Sequence, residues 1–130
     1  MRNISDGFEP EFRAEKPTKI IPIGSIEGIY LPKAFVSSFI FDKKIVFPMT
    51  IRHKGELKLA YFFDLPDGFD GKCYKIYRLK RPKGLIAVYL PLPKYFRTLL
   101  INSAKRPLVS YSFGFSGDSM VILLERYDGK

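Results

Sequence analysis

A chain of 130 residues, 46% apolar with 12 Phe and 8 Tyr, has the material for one packed domain or for two small modules sharing a core. That composition excludes a disordered chain, the lone Cys73 excludes an internal disulfide, and no run approaches the 18 apolar residues of a membrane-spanning helix. The net charge of +9 is large for this size and points toward a polyanionic partner.

Residues 1–17 are polar and mixed in charge, with Pro10 and Pro17, and read as an arm without the apolar stretch of a signal peptide. A cytoplasmic, soluble protein with no membrane partner is the expectation. TKIIPIG (18–24) reads as a short edge strand broken by Pro22, and SIEGIYL (25–31) as a second strand. In PKAFVSSFI (32–40), Phe35, Val36, Phe39 and Ile40 share one side of a short helix that Pro32 opens. KIVFPMTIR (44–52) alternates Ile45, Phe47, Met49 and Ile51, with Pro48 implying an edge or a bulge. After a turn at 53–55, ELKLAYFF (56–63) alternates Leu57, Leu59, Tyr61 and Phe63, completing a hairpin.

LPDGFDG (65–71) is the densest cluster of turn residues and reads as a linker. Its two aspartates lack the remaining carboxylates and the terminal glutamate of an EF-hand loop. Beyond it the same order returns. CYKIYRLK (73–80) and LIAVYL (85–90) read as strands, PKYFRTLLI (93–101) as a short helix, and LVSYSFGF (108–115) with SMVILLER (119–126) as a hairpin.

The two stretches YLPKAF (30–35) and YLPLPKYF (89–96) begin 59 residues apart, and the hairpin glycines Gly55 and Gly117 stand 62 apart. Several matches in one order make an internal duplication the better account than chance. The chain divides into an arm (1–17), repeat 1 (18–64), a linker (65–71) and a basic repeat 2 (72–130). The shared core is expected to hold Phe35, Phe39, Phe47, Leu59, Phe96, Leu99, Phe113 and Ile122.

Charge is unevenly placed. Residues 71–117 hold ten Lys and Arg and no acid: Lys72, Lys75, Arg78, Lys80, Arg81, Lys83, Lys94, Arg97, Lys105 and Arg106. A merely solvated surface would intersperse both signs, so this run favours nucleic acid or an acidic protein surface.

Catalytic patterns are missing. No P-loop, GxGxxG, GxSxG or HExxH occurs, so neither an enzyme nor a cofactor is indicated. His53 reads as a solvated turn residue. Cys73, beside Lys72 and Lys75, reads as a small, half-buried strand residue rather than a reactive thiol. The aromatics at 95, 96, 111, 113 and 115 suit stacking on single-stranded bases, yet their placement makes them core residues first.

A unit of strand, short strand ending in Leu-Pro, short helix and hairpin resembles the AbrB/MazE/SpoVT swapped-hairpin DNA-binding domain. The stretches that carry the resemblance are Gly28-Ile29-Tyr30-Leu31-Pro32-Lys33 and Gly84 through Pro91. The chain departs from the family after each helix, where FIFDKK and LINSAKRP replace a Leu-Gly-Ile and a Gly-Asp turn. The resemblance implies a mostly β fold with short helices: two β-β-α-β-β repeats forming a single-chain, pseudo-dimeric swapped-hairpin barrel. It also implies DNA contacts from basic residues of the first strand, its loop and the helix. In repeat 2 these are Lys75, Arg78, Lys80, Arg81, Lys83, Lys94 and Arg97; in repeat 1 they are Lys16, Lys19 and Lys33. The expected partner is nucleic acid, DNA before RNA, for a regulator or chromatin-associated protein. A ribosome-associated RNA-binding protein and a subunit docking on an acidic protein such as a polymerase remain alternatives.

Overall fold

The structure, a computed structural model, describes residues 8–13, 17–31, 42–80, 82, 86–96 and 108–126. Ten strands account for most of them: β1 (Phe8–Arg13), β2 (Thr18–Ile23), β3 (Ile26–Leu31), β4 (Ile45–His53), β5 (Glu56–Phe62), β6 (Tyr74–Lys75), β7 (Tyr77–Lys80), β8 (Ile86–Leu92), β9 (Leu108–Ser116) and β10 (Ser119–Arg126). Every pairing is antiparallel. Nine strands run in the order β6-β4-β5-β10-β9-β2-β3-β8-β7, with β1 added on β9. The two ends of that order, β6 and β7, are separated in the chain by Ile76 alone. The sheet is therefore a nearly closed barrel.

One short segment makes the closure. Tyr74 and Lys75 pair with Val46 and Ile45, whereas Tyr77 through Lys80 pair with Tyr89 through Ile86. Between them, buried Ile76 donates its backbone N–H to the Lys44 carbonyl at 2.9 Å. Closure removes a sheet edge that would otherwise template aggregation.

Hairpins from the first and second halves of the chain alternate around the barrel. The β4–β5 hairpin touches β10 on one side and β6 on the other, and the β2–β3 hairpin lies between β9 and β8. Turn chemistry fits these hairpins: Lys54 and Gly55 both adopt positive φ, 53° and 80°, as a two-residue type I′ connection requires.

Alternation along the strands separates three apolar clusters. Ile29, Leu31, Leu59, Tyr61, Leu90, Phe113, Ile122 and Leu124 fill the barrel interior with their neighbours. On the outer face of β4, β5 and β10, Ile51, Ala60, Phe62, Val121 and Leu123 form a second cluster, joined by Phe47 and Met49. A third, outside β2, β3, β7 and β8, gathers Ile23, Ala87 and Tyr89 with Ile21, Ile26 and Tyr77. Strands buried on both faces are apolar almost without alternation.

Several expectations change. Leu59, Phe96, Phe113 and Ile122 are interior, but Phe47 faces outward against Phe69 of the linker, their ring centroids 5.4 Å apart. On β4 it is Val46 that points inward, so the apolar series Ile45, Phe47, Met49, Ile51 does not mark the interior face. β2 is neither broken nor an edge: it pairs with β3 through Pro22 and with β9 only at Thr18 and Lys19. Pro22 lies beyond that two-residue ladder, where no donor is required. Part of the arm is a strand, with Phe8 through Arg13 pairing against Ser116 through Ser112. Cys73 is exposed and precedes the strand rather than lying half-buried within it, and His53 ends β4 opposite Glu56. The helices expected at 32–40 and 93–101 lie outside the described residues except for a 3-10 turn at Lys94–Phe96, and Phe35, Phe39 and Leu99 lie outside them too. No helix among the described residues is long and apolar enough to cross a membrane.

Candidate nucleic-acid interface

The closing segment 74–80 carries three exposed cations within seven residues. Because β6 and β7 change partners at Ile76, this stretch is held at three points, and its register sets Arg78 opposite interior Val88 but Lys75 opposite exposed Ile45, so these two cations leave opposite faces of the segment. Lys75, Arg78 and Lys80 are all exposed, and the segment contains no acid. Alternation aims neighbours differently: Tyr77 packs outward with the third apolar cluster, and Arg78 reaches across the seam to donate Nη2–H to the Lys43 carbonyl at 2.8 Å.

This contact draws in residues that strand assignment alone does not single out. Lys43 and Lys44 lead into β4, and the seam brings their backbone against Arg78 and Ile76. Lys44 is exposed, while Lys43 pairs with Asp64 at 3.3 Å, which offsets part of the local charge. On the other side, the Lys72 ammonium lies 5.5 Å from the centroid of the Tyr74 ring, a cation–π contact. The one available signal for Lys43 and Lys44 was their adjacency as a basic pair opening a strand.

Of the ten positions expected from the resemblance, Lys75, Arg78 and Lys80 stand together on the closing segment. Lys94, also exposed, joins them indirectly, since it and Tyr74 line one cleft. Lys19 is exposed on β2, three strands away from β7 across β3 and β8. Lys16, Lys33, Arg81, Lys83 and Arg97 lie outside the described residues. Apolar residues punctuate the patch, because Leu79 and Ile86 are 41% and 54% exposed.

The aromatics fall mostly in the core. Phe96, Tyr111 and Phe113 are buried and Phe115 packs against them, so they offer no open stacking platform. Burial, with the nearby Tyr30 hydroxyl adding to it, pushes the Tyr111 phenol up to about 12, and desolvation raises that of Tyr61 further. Both are neutral hydrogen-bonding groups at physiological pH. Among the described residues no group of three or more His, Cys, Asp or Glu could hold a metal ion.

No protein-family model, curated protein or solved structure matches this chain.

Proposed function

We propose that this chain is a nucleic-acid-binding protein, with duplex DNA as its favoured partner, whose contact surface centres on the closing segment 74–80. The observation that carries the reading is the exposure of Lys75, Arg78 and Lys80 on the acid-free closing segment formed by β6 and β7, flanked by Lys44, Lys72 and Lys94. Cations fixed on regular structure neutralise phosphates at regular intervals with little ordering cost, the electrostatic basis of backbone binding. The resemblance to AbrB/MazE/SpoVT domains agrees in assigning contacts to the first strand of the unit, and it makes a regulator or chromatin-associated role the specific form of the proposal.

The same reading takes the barrel as two interleaved β-β-α-β-β repeats in one chain. Alternation of first-half and second-half hairpins supports it, as does the β3–β8 ladder, in which Tyr30 pairs with Tyr89, the matching residue of the second YLP. Lys19 and Lys75 also hold corresponding places, opposite the first residues of β9 and β4 respectively. Where repeat 2 has Arg78, repeat 1 has Pro22, so the two halves of the surface grip unequally.

A second reading, docking on an acidic protein, draws on Leu79 and Ile86, whose exposed apolar side chains among cations suit a protein interface. Competition among duplex DNA, structured RNA, heparin and an acidic peptide for the full chain separates these. Duplex DNA is expected to compete best. No binding to either nucleic acid at about 20 mM salt, where counterion release favours association most, overturns the proposal in favour of the protein partner.

A further inference from the structure

Where the closing segment leaves β8 to join β4, the barrel forks. Carried three residues further, the register Tyr77↔Tyr89 would set Tyr74 opposite Leu92, but Tyr74 pairs with Val46 instead. β8 continues through Leu92 with β3 as its one ladder partner at that end among the described residues, Glu27 standing opposite Leu92. The missing rungs leave a cleft of about 550 Å³, within the range of small-molecule sites. Ile26, Tyr74, Pro91, Leu92 and Pro93 make its apolar lining, three of them rigid rings. Its polar lining comes from Ser25, Glu27 and the exposed Lys94.

We propose that this cleft binds a nucleotide unit, with the base between Tyr74 and the proline rings and the phosphate at Lys94. Two features select that chemistry. Rigid rings suit a planar base, and the exposed Lys94 suits an anion. Lys72, over the Tyr74 ring, adds to the positive field that attracts the phosphate. The cleft adjoins the proposed duplex surface and shares Tyr74, Lys72 and Lys94 with it, and the nucleotide has two sources, a free mononucleotide or an unpaired residue in a strand.

The test is an amide-resolved NMR titration of the full chain with AMP, adenosine and pyrophosphate. AMP is expected to shift the amides of residues 25–27, 74 and 92–94, and to bind about tenfold more tightly than adenosine or pyrophosphate, a difference of about 1.4 kcal/mol. Lys94→Met is expected to weaken AMP about tenfold and to leave adenosine unchanged. Tyr74→Leu, which keeps an apolar strand residue, is expected to weaken both. Equal affinity for AMP and pyrophosphate, or AMP shifts that miss the cleft, overturns the proposal. Duplexes with and without a single unpaired adenine then assign the source. A preference for the bulged duplex that Tyr74→Leu abolishes points to the strand, and AMP binding without that preference points to the free nucleotide. Affinity for the perfect duplex, measured alongside, reports on the duplex surface separately.

Discussion

Tyr30 and Tyr89 stand directly opposite one another on β3 and β8, their ring centroids 5.6 Å apart and their planes inclined at 60°. They begin the two YLP stretches of the sequence, so the words that repeat are also the words that pair. Around this ladder the two halves of the chain depend on each other. The hairpins of each half have neighbours from the other half on both sides.

That interleaving makes the linker a place to cut. Gly68 sits in an exposed turn with φ of 71°, and scission there breaks no ladder. Each fragment alone would lose its cross-half partners and expose both faces of its apolar strands, at a size where independent folding is marginal. Neither half is expected to show a cooperative unfolding transition by itself, and an equimolar mixture is expected to recover one. A cooperative transition in either isolated half contradicts the shared barrel.

Inside the barrel, the Tyr61 hydroxyl donates to the Pro91 carbonyl at 2.7 Å. Pro91 lies at the fork, where β7 no longer pairs with β8, and this side chain satisfies the carbonyl in place of a ladder donor. Tyr61→Phe keeps the ring but strands a buried acceptor, at a cost of about 1–2 kcal/mol in urea denaturation. A loss below about 0.3 kcal/mol would mean that the bond contributes nothing to closure.

Much of this was legible in the sequence, and the limits have physical reasons. Both hairpins, 44–63 and 108–126, follow from period-two patterning around Gly55 and Gly117, and the interior series Leu59, Tyr61, Phe63 and Val109, Tyr111, Phe113 was readable at once. β4 misled because both of its faces are buried. Phe47, Met49 and Ile51 are as apolar as an interior face, although they point away from it. The closing role of 74–80 was not legible, since a change of partner at Ile76 leaves no mark on the pattern. For the same reason Lys43 and Lys44 read as the start of a strand and not as neighbours of Arg78. The basic character of the surface was plain from charge alone, but its centre depends on how the seam is made.

A partly buried pair tests the β5–β10 junction. Lys58 is only 8% exposed, and its Nζ lies 3.2 Å from Glu125 Oε1, one step along the register from Leu59↔Leu124. Removing one partner leaves a poorly hydrated charge. Glu125→Ala is expected to destabilise by about 1–3 kcal/mol, with Glu125→Ala/Lys58→Met recovering part of the loss in a double-mutant cycle. Strictly additive effects would show that the pair is not coupled.

The most direct test of the central claim is the salt dependence of duplex DNA binding in two charge-matched variants. Lys75→Ala/Lys80→Ala removes two cations from the closing segment. Arg52→Gln/Lys54→Asn removes two from the far end of β4, where asparagine tolerates the positive φ of Lys54. The slope of log affinity against log salt is about 0.9 per neutralised phosphate, so the first variant is expected to flatten it by nearly two units and the second to leave it unchanged. Equal flattening in both would reduce the interaction to bulk charge and contradict the placement of the surface on residues 74–80.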